Sequence, residues 1–257
     1  MSDSPDIQMV EVHGNEVKES ERSNKTNGWW LLIGIVLWCV AVVCMIGLSW
    51  FAHIHRQPLA FELAFSRALQ AMISAPWIGI VFRFLTAIND PLPDAITVVL
   101  VVVIFALFHW FRQGIFLALS VMVGNGIDAL IGDYVGRPRP TANLVHVDSH
   151  LIFNSFPSGH SCHMMVFYGF ILFLTFVSSV RQWRYHWLVF IVQFWAVLNI
   201  LIVGFARLWE GEHWVLDVVG GYLDGLIWMT LFIFLYQIAT RHHWRIFHKK
   251  SVPSHPS

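Results

Sequence analysis

Residues 187–239 read WLVFIVQFWAVLNILIVGFARLWEGEHWVLDVVGGYLDGLIWMTLFIFLYQIA. Two apolar runs, 187–205 and 214–239, enclose the segment Arg207-Leu208-Trp209-Glu210-Gly211-Glu212-His213-Trp214-Val215-Leu216-Asp217, where the charge of the stretch is concentrated. About 20 apolar residues rising 1.5 Å each cross the hydrocarbon layer, so each run reads as a transmembrane helix and the polar segment as the turn between them. Ionisable groups beside a bilayer must face protein or water, so gathering them at one membrane face marks a functional site.

The same reading extends outward. Apolar runs at 29–51, 95–111, 115–130 and 163–180, with Asp128 the one charge among them, bring the expected number of spans to six. The stretch 72–88 is interrupted by Pro76 and Arg83 and reads as an interfacial or re-entrant segment. Hydrophobic residues make up 56% of the 257 and charged residues 12%, with a mean hydropathy of +0.61, which excludes an ordinary soluble domain. The expected class is all-α: a polytopic membrane protein with about six transmembrane helices. Net charge is zero and no basic patch is interleaved with aromatics, so nucleic acid is excluded as the main partner. Cys39, Cys44 and Cys162 form no disulfide or zinc pattern and read as small apolar residues.

Three regions follow: a polar tail, 1–28, expected to be disordered; a membrane domain, 29–240; and a basic tail, 241–257. Six spans put both tails on one side. Lys18, Arg22, Lys25, Arg112, Arg181, Arg184, Arg241, Arg245, Lys249 and Lys250 lie on that side, against Arg56, Arg67, Arg83, Arg137, Arg139 and Arg207 opposite. Ten against six favours cytoplasmic termini.

Two further polar clusters flank the long loop 132–159: Gly136-Arg137-Pro138-Arg139-Pro140 and Pro157-Ser158-Gly159-His160. Arg139 and His160 share that loop, and the chain crosses the membrane twice before Arg207 and His213, so all three clusters meet on one face. Arginines, histidines and a carboxylate together make an anion site with acid/base groups. His213 and Asp217, four apart at a helix start, share a face, so Asp217 is expected to accept from one imidazole nitrogen and leave the other free to attack. His160 follows Ser158-Gly159 at the start of a span, where exposed N–H groups favour phosphate. Arg139 and Arg207 supply planar forks suited to phosphate oxygens.

The pattern RP, then PSGH, then R-x5-H-x3-D resembles the type 2 phosphatidic acid phosphatase superfamily over residues 95–240, which contains membrane lipid phosphatases. The resemblance implies a helical bundle of that family. It implies His213 as a nucleophile forming a phosphohistidine, Asp217 orienting it, and His160 as the acid that later activates water. Arg139, Arg207, Ser158 and Gly159 would bind the phosphoryl oxygens, with no metal and no cofactor. The family's lysine, seven residues before the motif arginine, is Gly132 here, and Arg137 is the candidate to replace its charge; the usual serine before the third-motif arginine is Ala206. The implied substrate is a lipid phosphomonoester or diphosphate of the phosphatidate, phosphatidylglycerophosphate or polyprenyl diphosphate type. Membrane lipids are the other expected partner, and no obligate protein partner is evident. A lipid phosphotransferase using the same intermediate, and a non-catalytic lipid-phosphate binder or transporter, are the alternatives.

Lesser polar residues have plainer readings. His146, Asp148 and His150 alternate in the loop as solvated residues rather than metal ligands. His163 is a pore-wall or packing residue rather than a second acid, and Asp128, on one face with Asn125 and Gly132, is expected to touch an arginine of the site. Asp224 is expected to bond between helices, and Glu210 and Glu212 to be solvated at the rim.

Overall fold

The computed structural model describes residues 5–149, 153–177 and 187–249, with side chains for residues 29 and 31–240 within those limits. His150, Arg181, Arg184, Lys250 and residues 250–257 of the basic tail lie outside the described residues. The chain divides into two units, Met1–Val43 and Cys44–Ser257, and the candidate site lies wholly in the second.

Every element among the described residues is helical. They are α1 (Pro5–Ile54), α2 (Ala60–Met72), α3 (Pro76–Ala87), α4 (Pro91–Leu107), α5 (Phe111–Val135), α6 (Gly159–Leu174), α7 (Trp187–Trp209) and α8 (Val215–Lys249). Residues 5–28, expected to be disordered, continue α1 toward the N-terminus. Once the apolar run has nucleated the helix, each further residue adds a backbone bond at small cost.

Among the described residues, four helices are long and apolar enough to cross a membrane: Leu31–Ile54, Phe111–Val135, Trp187–Trp209 and Val215–Thr240. α2 and α3 together make a fifth candidate, bent by 120° where Pro76 starts α3, and α3 covers most of the stretch 72–88. The remaining two expected spans are α4, 17 residues long, and α6; both are apolar but shorter than a full crossing by length alone.

α6 lies at the centre. Met164, Val166, Phe167, Phe170 and Leu174 are buried in one cluster with Leu117 and Val121 of α5, Ala196 and Val203 of α7, and Phe232 and Tyr236 of α8. In lipid, close van der Waals packing rather than water exclusion brings helices together, and small residues permit it. α8 provides such a seam: a Cβ on Gly225 would lie 2.6 Å from the Cys162 carbonyl, and one on Gly221 would strike the Ser158 carbonyl. That approach sets the start of α8 against residues 155–160. α5 ends where Gly136 turns at φ 60°, a left-handed cap that glycine adopts freely, and its N–H donates to the Gly132 carbonyl. The loop bearing Arg137 and Arg139 therefore leaves α5 toward the same place.

Candidate active site

His213 is 1% exposed and stands two residues before the start of α8. Its Nδ1 lies 2.8 Å from the Ser155 carbonyl, and its Nε2 lies 3.2 Å from Nη1 of Arg139. A carbonyl only accepts and a guanidinium only donates, so Nδ1 carries the hydrogen and Nε2 presents its lone pair. Burial, then the nearby Arg139, Arg207 and His160, hold the His213 pKa well below the ordinary histidine range, so the ring is neutral.

Asp217 occupies a different place from the one its spacing predicts. Its Oδ2 stands 4.0 Å from His213 Nδ1 and instead accepts from Ser155 Oγ at 2.5 Å and from the Trp214 N–H at 2.8 Å, while Oδ1 accepts from Arg137 at 2.6 Å. Stacking at i, i+4 requires both residues inside one helix, and His213 lies ahead of the first turn. Asp217 therefore reaches the imidazole through Ser155, whose N–H donates to the Arg137 carbonyl at 2.8 Å.

Arg137, read from sequence as a phosphate ligand, is fully buried. Its Nη1 reaches Asp217 at 2.6 Å and Glu62 at 3.2 Å, and its Nη2 reaches Glu62 at 2.5 Å. Both ends of the fork are taken, so its charge serves two carboxylates rather than an incoming anion. Burial opposes its charge, but Asp217 and Glu62 outweigh that and raise its pKa. Glu62, from α2, also accepts from the Leu59 N–H at 2.9 Å and from the Leu216 N–H at 3.0 Å, so it caps the first turn of α8 from another helix.

Arg139 and Arg207 meet at Glu212, which pairs with both. Arg139 donates to the Phe153 and Glu212 carbonyls, both at 2.9 Å; burial and neighbouring Arg207 lower its pKa to about 10, against Glu212 and Asp217. Arg207 pairs with Glu210 at 3.1 Å and Glu212 at 3.7 Å, and its Nε is buried without a hydrogen-bond partner. Glu210 and Glu212 are thus not solvated: they are 3% and 2% exposed. A buried guanidinium at the end of α7 draws its counter-charges inward. Burial raises the Glu210 pKa, while Arg207 and the Thr86 hydroxyl oppose the shift.

His160 stands in the first turn of α6 with its Nε2 buried, making no hydrogen bond of good geometry and lying 3.4 Å from Asp90 Oδ1 at the corner before α4. One turn deeper, His163 bridges Asp94 at 2.8 Å and Asn125 at 2.9 Å. The Ser158 N–H is taken by the Asp217 carbonyl at 2.9 Å, leaving its hydroxyl, which accepts from Ser161 Oγ at 3.1 Å, and the Gly159 backbone beside His160. Gly132 brings no charge, and a Cβ there would meet the Phe156 carbonyl at 3.4 Å.

Asp128 does not contact an arginine as expected. It joins Cys162 and Asp224 in a buried group whose donor atoms lie within 4.8 Å of one another, and Asp224 bonds across to α6 through Cys162. Arg83 and His146 hold Asp148, lowering its pKa chiefly through the Arg83 hydrogen bond. The sequence reading missed Glu62, Asp90 and Ser155. Two had a signal: Glu62 is an acid in an otherwise apolar run, and Asp90 stands before Pro91 at the N-cap of α4.

The family model of the PAP2 superfamily matches residues 112–241, half of the chain. The chain belongs to the PAP2 superfamily. Among curated relatives, phosphatidylglycerophosphatase B of Bacillus subtilis (strain 168) is 28% identical over 186 residues, covering 68% of this chain and 84% of that protein. The bacitracin transport permease protein BcrC of Bacillus licheniformis is 32% identical over 123 residues, covering 47% of this chain and 53% of that protein. The crystal structure of the PAP2-type phosphatidylglycerolphosphate phosphatase from Bacillus subtilis superposes with a TM-score of 0.63 at 21% identity, over 76% of this chain and 95% of that one. Aquifex aeolicus LpxE superposes with a TM-score of 0.54 at 19% identity, over 68% and 96%. At these identities the two structures establish the fold: an all-helical PAP2 membrane protein.

Proposed function

We propose that this PAP2 protein is a lipid phosphate phosphatase working through a phosphohistidine on His213. The observation that carries the reading is the neutral His213 with its Nε2 lone pair turned to Arg139, beside two buried groups, Arg207 Nε and His160 Nε2, that a phosphoryl group would complete.

The Nε2 lone pair attacks phosphorus, the bond to the lipid oxygen breaks, and His160 gives that oxygen its proton. Ser155 and its partner Asp217 steady the imidazolium that forms. Water then attacks phosphorus, His160 takes its proton, the P–N bond breaks, and phosphate leaves with His213 restored. Arg139 and Arg207 hold the phosphoryl oxygens, with the Ser158 hydroxyl and Gly159 backbone beside them. Those fixed positive groups supply what Mg²⁺ brings to other phosphatases, so the reaction proceeds without a metal. Residues 29–240 carry the activity, with both tails cytoplasmic and the site on the extracytoplasmic face.

Purified protein in detergent should release phosphate from lipid phosphates, and excess EDTA should leave the rate unchanged. Loss of activity on chelation, restored by a divalent ion, would refute the metal-free mechanism. For orientation, cysteine at Ala142, in a background lacking the three native cysteines, should react with an impermeant thiol reagent in intact cells, whereas one at Ser251 should not. Labelling of position 251 alone would invert the assignment.

A further inference from the structure

We propose that Asp90 makes this site selective for lipid phosphomonoesters over lipid diphosphates, an inference that rests on the phosphatase reading above. The leaving oxygen takes its proton from His160 and must come within about 3 Å of the donating nitrogen. With His160 Nε2, buried and without a hydrogen bond of good geometry, as the donor, the leaving oxygen sits beside a nitrogen that stands 3.4 Å from Asp90 Oδ1. The leaving group therefore departs within roughly 6 Å of a carboxylate. From a phosphomonoester that group is a neutral alcohol, whose hydroxyl Asp90 tolerates. From a diphosphate it is a second phosphate, whose charge meets that of Asp90.

The surrounding charges reinforce the asymmetry. Facing His160 are Arg207 from α7, His213 ahead of α8, Asp128 of α5 beneath Gly159, and His163, itself paired with Asp94 of α4. Arg137 is consumed by Glu62 and Asp217, and both Arg139 and Arg207 lean on Glu212. The two available arginines suit one phosphoryl group, and the next group beyond His160 is an acid. Asp90 is an anion in this setting, since the nearby His160, Nε2 to Oδ1 at 3.4 Å, holds its pKa below the usual carboxylate range. Two unit charges about 6 Å apart, in surroundings between bulk water and protein surface, change a rate by roughly 3- to 100-fold.

The test compares a prenyl monophosphate with the diphosphate of the same tail, on purified wild type, Asp90→Asn and Asp90→Ala. Asparagine is as good an N-cap as aspartate, so the start of α4 is kept. The ratio of two kcat/KM values on one preparation cancels differences in the amount of folded protein. Wild type should prefer the monophosphate, both variants should shift the ratio toward the diphosphate by about tenfold, and added salt should shrink the shift because Asp90 is half-exposed. A ratio unchanged within about twofold in both variants, or a wild type that prefers the diphosphate, would overturn the proposal. Release of phosphate from neither substrate by wild type would remove the phosphatase reading and the proposal with it.

Discussion

The buried Glu62–Arg137–Asp217 group joins α2 to the start of α8, and taking it apart has a calculable cost. Arg137 and both carboxylates have no exposed side-chain surface, so Arg137→Met strands two buried anions, whereas Glu62→Gln leaves the arginine still paired with Asp217. Breaking a buried pair by removing one partner costs about 3–5 kcal/mol. Arg137→Met should fall at the upper end of that range and Glu62→Gln at or below the lower. At about 2–4 °C per kcal/mol for a chain of this size, the arginine variant should lose roughly 10–20 °C of melting temperature. The double variant should lose less than the sum of the two, by at least about 1.5 kcal/mol, because the second change removes a charge that the first has orphaned. Thermal unfolding of all four proteins in one detergent measures the cycle. Single-variant losses that add within about 0.5 kcal/mol would show that the three groups do not act together.

Two further expectations concern His213 and the helix seam. His213 has a folded pKa below its unfolded value of about 6.5, so the folded state binds fewer protons and its stability contribution, complete above pH 6.5, is lost as pH falls below that value; His213→Gln should flatten the decline in melting temperature between pH 6.5 and 5, and an unchanged slope would refute the assignment. Gly225→Ala, whose methyl would lie 2.6 Å from the Cys162 carbonyl, should cost about 1–3 kcal/mol and lower kcat by moving α8 off residues 155–160; wild-type stability and kcat would contradict that close approach.

What the sequence showed, and what it hid, divides along physical lines. Helices in lipid announce themselves by apolar length, and the parity of crossings brings Arg139, His160, Arg207 and His213 together without any tertiary detail. Partner choice within the cluster is another matter. The four-residue spacing of His213 and Asp217 points to a direct bond, yet the helix begins at Val215, so the imidazole turns to the Ser155 carbonyl, on a loop reached only through folding. Glu210 and Glu212 look like rim residues beside a glycine, but the turn at Gly211, with φ 69°, tucks both against Arg207. Glu62, about 150 residues before its acceptor role at Leu216, leaves only the trace of one acid in an apolar run.

The central claim is a covalent bond between phosphorus and His213 Nε2. Rapid acid-free quenching of the enzyme during turnover of a lipid phosphate labelled in its phosphoryl group, followed by peptide mass spectrometry, tests it directly. A base-stable, acid-labile phosphoryl group should appear on His213 and be absent from an inactive His213→Asn variant that retains the wild-type fold. Most of the turnover surviving in that variant, or label on another residue during active turnover, would contradict it.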